Sequence, residues 1–154
     1  MTTIILRHRR ENLKKCSLRG LESRLDLAFY TYPIAPLPDL SGYLLLKVGA
    51  PPLSRRDCEK GLFLIDGTWR LAQIMEKQLA RPMESRSLPE GFVTAYPRRQ
   101  TDCPDPSAGL SSVEALYIAH RLLNRPFAGE LLEHYHWKEQ FLELNAHLLN
   151  LINT

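Results

Sequence analysis

Cysteine is scarce in this chain. Cys16, Cys58 and Cys103 are odd in number and far apart, and no Cys-x-x-Cys pair occurs. That pattern fits neither a disulfide framework nor a structural zinc site, so no metal is expected. Long apolar runs are also missing. None reaches the roughly 18 residues of a membrane span. The first ten residues, Met-Thr-Thr-Ile-Ile-Leu-Arg-His-Arg-Arg, lack the layout of a cleavable signal. These absences predict a cytoplasmic protein with no membrane partner. Charge of one sign is not in large excess either: 20 Lys and Arg stand against 17 Asp and Glu, a formal net charge of +3. Such a balance permits nucleic acid as a partner without demanding it. No internal repeat or low-complexity tract is found. What is present is ordinary for a globular chain: 154 residues, 44% hydrophobic and 24% charged. A single domain over residues 1–154 is expected, with a first α/β part to about residue 60 and a second part beyond it.

The most informative stretch is Leu62 to Arg70, Leu-Phe-Leu-Ile-Asp-Gly-Thr-Trp-Arg. Four consecutive apolar residues read as a strand buried on both faces. Asp66 ends it, Gly67 allows a turn, and Thr68 is a good N-cap. Leu71, Ile74, Met75, Gln78 and Leu79 then follow helical spacing towards Pro82. In open α/β sheets ligands bind beyond the C-terminal ends of strands, where Asp66 and Trp69 fall. Taken alone, Asp66 also reads as a turn residue and Trp69 as a core residue.

Other strands are expected at Thr3–Leu6, Leu25–Tyr32, Tyr43–Val48 and in the region Leu88–Tyr96. A short helical stretch through Leu18 and Leu21 would be capped by Ser17. Ser111 with Glu114 three residues on is a capping box for a helix to about Leu123. The free N–H groups of such a start also suit an anion. A last helical segment runs from Phe127, with Trp137, Phe141, Leu144 and Leu148 on one face and a break near Tyr135-His136. Positive charge gathers in Arg7, Arg9, Arg10, Lys14 and Lys15, and again at Arg98-Arg99. It reads either as a solvated face or as a face that contacts phosphates.

Four separated pieces together carry a resemblance. They are Lys14-Lys15-Cys16-Ser17, Asp66-Gly67-Thr68-Trp69, Leu110-Ser111-Ser112-Val113-Glu114-Ala115 and Trp137-Lys138-Glu139-Gln140-Phe141-Leu142-Glu143-Leu144-Asn145. In order and spacing the chain resembles the aminocarboxypropyltransferases of the DTW superfamily, above all the branch that modifies small-subunit ribosomal RNA. The likeness spans nearly the whole chain. That branch typically has Asp-Cys-Ser-Trp where this chain has Asp66-Gly67-Thr68-Trp69, which is closer to the tRNA-modifying branch. The N-terminal cysteine cluster frequent in the latter is absent.

The resemblance implies an α/β, SPOUT-like fold with a C-terminal trefoil knot and a mostly parallel sheet flanked by helices. It implies S-adenosylmethionine (SAM) as cofactor, bound by the part beyond residue 60. It further implies transfer of a 3-amino-3-carboxypropyl group to a uridine or pseudouridine of ribosomal RNA by a monomeric enzyme, leaving methylthioadenosine. By the same likeness Ser17, Ile65, Asp66, Trp69, Leu88, Leu110, Ser111 and Ser112 would line the cofactor pocket. Asp66 is the candidate acceptor of the uridine N3 proton, or else a hydrogen-bond acceptor for the cofactor ribose. The alternatives are a tRNA aminocarboxypropyltransferase, a SAM-dependent RNA methyltransferase and a non-catalytic RNA-binding assembly factor.

Overall fold

The structure, a computed structural model, describes residues 2–10, 16–34, 36–79, 81–97 and 109–152, without the Trp69 side chain. Lys14, Lys15, Arg98 and Arg99 lie outside the described residues. Five strands form one sheet: β1 Thr3–His8, β2 Leu27–Tyr32, β3 Tyr43–Leu46, β4 Gly61–Asp66 and β5 Ser85–Arg86. Their order is β2-β1-β4-β3-β5, and every neighbouring pair is parallel. The sheet thus interleaves strands from both sides of residue 60.

The two most apolar runs take the centre. All six residues of β1 and five of six in β4 are buried. A strand flanked on both sides and covered on both faces has no position for a solvated side chain, hence the unbroken apolar reading. Alternate residues serve two layers. Ile4, Leu6, Phe63 and Leu45 pack beneath α1 (Trp69–Lys77), which buries Met75 fully. Ile5 and Leu64 pack beneath α2 (Ser112–Leu122), a 3-10 helix at Ala128–Leu132, α3 (Lys138–Leu144) and α4 (Ala146–Ile152). At the start of β4, a Cβ on Gly61 would overlap the ring of Tyr43, so the β3–β4 pairing requires glycine there.

Several elements differ from the pattern of the sequence. The stretch through Leu18 and Leu21 is a series of tight turns, with Arg19 N–H bonded to Cys16 O and Leu21 N–H to Leu18 O. It folds over the α2 side and buries Cys16, Leu18 and Leu21. The region 88–96 forms no strand. Pro89 supplies no N–H, Gly91 has φ +103°, and the backbone beyond is held by side chains instead. Asn145 brackets Val93, accepting its N–H at 2.7 Å and donating to its carbonyl at 2.8 Å. The last helical segment breaks at Asn145 as well as before Lys138. Phe141 is therefore fully buried while Leu144 is 58% exposed, and the single apolar face does not hold.

From this order follows the position of the site. After β1 the chain crosses the α2 side to β2 at one edge. After β4 it crosses the α1 side, past β3, to β5 at the other edge. The connections diverge between β1 and β4, which is the topological switch point of a parallel sheet and the customary location of its ligand crevice.

Candidate active site

At that switch point Arg7 and Asp66 are register partners at the ends of β1 and β4. Both point to the α2 side, and both are buried. Arg7 Nε donates to Asp66 Oδ2 at 3.3 Å. The Cys16 thiol donates to the same oxygen at 3.2 Å. Ser112 Oγ donates to the other, Oδ1, at 2.7 Å. Three separate pieces of chain thus converge on one carboxylate: the end of β1, the turn after it and the first residue of α2. Burial and the neighbouring Asp66 push the Cys16 thiol up to about 12, so at neutral pH it is a hydrogen-bond donor and not a nucleophile.

Arg7 corrects the sequence expectation. It does not stand on an exposed basic face. Its guanidinium is used inside, on Asp66, on Cys16 Sγ at 3.5 Å and on Glu22 at 3.4 Å, and it lies 4.7 Å from the centre of the Phe29 ring. Parallel pairing of β1 with β4 put it there, a long-range fact that charge clustering does not encode. Arg9 and Arg10 are exposed, as expected of that face.

Ser17 caps a helix, but not its own. Its Oγ accepts from Val113 N–H at 3.1 Å, at the start of α2, across 96 positions. Ser111 Oγ accepts from Glu114 N–H at 3.4 Å, and Glu114 Oε1 accepts from Ser111 N–H at 2.8 Å, which completes the expected capping box. Glu114 does more than cap. Fully buried, it also accepts from Thr94 Oγ1 at 2.6 Å, Ala95 N–H at 2.9 Å and Tyr135 Oη at 2.9 Å. The start of α2 is thereby fixed to two other segments. The sequence does not mark Tyr135 and Thr94 as its partners, because nothing local distinguishes a residue that serves a distant carboxylate.

The remaining expected residues divide. Leu88 and Leu110 pack on the α2 side with Leu46, in the same layer as the Asp66 cluster. Ile65 does not join them. Its side chain turns to the α1 side, as the strand's alternation requires. Trp69 is the first residue of α1, after the Thr68 cap. Ser17, Ser111, Ser112 and Asp66 come together at one end of the crevice.

The donor set fits SAM in outline. Ser17, Ser112 and Asp66 are polar groups of the kind an amino-acid end would need, and Leu46, Leu88 and Leu110 are apolar surface of the kind an adenine would need. Asp66 retains capacity, because a carboxylate oxygen accepts about two hydrogen bonds and Oδ1 takes one among the described residues. The same residues show no cluster able to hold a metal ion and no helix long and apolar enough to cross a membrane.

Residues 44–153 match the family described as ribosome biogenesis protein, C-terminal, and the chain belongs to that family. A solved structure similar to it is the SAM-dependent rRNA:acp-transferase Tsr3 from Vulcanisaeta distributa. The two share 24% identity and a TM-score of 0.70 over 97% of this chain and 82% of that one. At this identity the likeness establishes a shared fold. No curated protein matches the chain.

Proposed function

We propose that the chain transfers the 3-amino-3-carboxypropyl group of SAM to a uridine-type base of ribosomal RNA. Family membership supports a role in ribosome biogenesis, and the shared fold is one on which that chemistry is carried out elsewhere. The observation that carries the proposal is the convergence of Ser112, Cys16 and Arg7 on Asp66 at the switch-point crevice. SAM would supply an electrophilic carbon beside a sulfonium, already a good leaving group. The residues need then only position and deprotonate.

Asp66 is the polar centre of the proposed site. Arg7 and Cys16 hold Oδ2, and Oδ1, which accepts from Ser112, has a second lone pair for the reactants, either as acceptor of the uridine N3 proton or as anchor for a cofactor hydroxyl or ammonium. Ser17 and Ser112, at the start of α2, would orient the amino-acid end. Trp69 belongs to the same proposed pocket. The knotted, SPOUT-like path implied by the sequence resemblance is part of this reading too.

Mass spectrometry of ribosomal RNA incubated with the protein and SAM tests it. Aminocarboxypropyl and methyl groups differ greatly in mass. A product carrying the larger group on a uridine is expected. A methylated product, or modification of tRNA alone, would replace the proposal with one of its neighbours.

A further inference from the structure

A second concavity opens beside the Asp66 cluster, on the outer side of the turn that carries Cys16 and Ser17. As the described residues outline it, the cleft encloses about 740 Å³. That lies within the roughly 300–1,000 Å³ of small-ligand sites. On the reading above, we propose that this cleft receives the uridine nucleotide to be modified, turned out of its RNA strand.

The cleft is physically continuous with the candidate active site. Cys16 and Ser17 line it, and their side chains bond Asp66 and the first turn of α2. Buried Tyr135 forms part of the lining and is bonded to Glu114, which caps the same helix. A nucleotide seated here would therefore lie against the Cys16–Ser17 turn, with its base edge turned towards Asp66.

The opposite lining has the chemistry a pyrimidine nucleotide needs. A base out of its stack requires a flat apolar face and polar groups at its edge, and its phosphate requires a cation. Trp137 is half-buried in the wall, its ring edge-to-face with His136 at 4.6 Å between centres and 89° between planes. His134 and His136 are exposed and offer ring nitrogens to a base edge. Arg19 is exposed at the same cleft and suits a phosphate. Gly20 beside His134 has φ +94°, a left-handed backbone that glycine adopts without strain.

Binding of labelled pentauridylate to the full chain tests the assignment. Arg19→Ala and His136→Ala change exposed residues, and thermal melting confirms that the variants fold. Each is expected to weaken pentauridylate binding by about tenfold, a loss comparable to that of one base contact, while SAM affinity by calorimetry stays unchanged. The chain has two tryptophans. In a Trp69→Phe background the emission reports Trp137 alone, and stacking predicts quenching by pentauridylate. Unchanged affinity in both variants together with unquenched emission would overturn the proposal. So would a loss of SAM affinity with RNA binding retained, which would give the cleft to the cofactor. If the wild-type chain fails to bind SAM yet pentauridylate quenches Trp137 and the variants weaken it, the nucleotide cleft stands and the transferase reading falls.

Discussion

Asp66 is held by groups with very different tolerances. Arg7 is a buried cation whose charge it balances, and Ser112 is a neutral donor on a separate element. Asp66→Asn keeps size but removes the charge, so among the described residues Arg7 retains only half-exposed Glu22 as an ionic partner. Breaking a buried pair costs about 3–5 kcal/mol, and Glu22 offsets part of it, so a measurable loss in urea unfolding is expected. The same variant separates the two chemical roles. If Oδ1 takes the uridine proton, SAM affinity changes little and single-turnover transfer falls by ~10²–10⁴-fold. If Oδ1 anchors the cofactor, affinity falls and transfer recovers at saturating SAM. Full transfer and full affinity in the folded variant would remove Asp66 from the site. The sequence shows Asp66, Ser111 and Ser112 because each sits next to a local signal, a strand end or a helix cap. It does not show Arg7 as their partner, because nothing local distinguishes a lysine or arginine that solvates from one that turns inward.

Elements with a strong period are legible: β1, β4, α1 and α2 fall where apolar spacing puts them. Those held by side chains are not. The segment 92–95 lies against Asn145 and Glu114 without belonging to the sheet, and its apolar residues read misleadingly as a strand. A second hidden feature is the contact of α2 with β1. His120, fully buried on α2, lies 2.9 Å from Thr3 Oγ1, and its Nδ1 has no hydrogen-bond partner among the described residues. Burial, with Arg125 nearby, holds the imidazole down to about 4, against a weaker opposing effect of Asp26. The folded protein therefore binds fewer protons than the unfolded chain between about pH 6.5 and pH 4. Stability should be full above pH 6.5 and fall through that window, by up to about 3 kcal/mol from this residue alone. His120→Gln can keep the bond to Thr3 but does not titrate. Chemical denaturation of both proteins at pH 7.5 and 4.5 should give a smaller acid loss in the variant. An equal loss would place the acid sensitivity elsewhere.

At the scale of the whole molecule, charge and fold answer different questions. The α/β class and the parallel sheet follow from apolar runs alternating with helical periods. The way the last helices are distributed over the sheet does not, because helical periodicity fixes which face is buried but not what it is buried against. The exposed pair Arg9 and Arg10 follows the end of β1, near the crevice but not in it. Neutralising both should weaken RNA binding and lower the salt slope by up to about 2, with SAM affinity unchanged. An unaltered slope would make this end of the sheet a solvated face. Glu114 bears on how the molecule opens. Its carboxylate joins Thr94, Ala95, Ser111 and Tyr135, which belong to three stretches far apart in sequence. Releasing any one stretch leaves a buried carboxylate short of a donor, which couples the opening of each stretch to that of the others. Amide hydrogens at Ala95 and Ser111 should then exchange slowly with solvent deuterium and at similar rates, although both sit outside helix and sheet, where backbone otherwise exchanges freely.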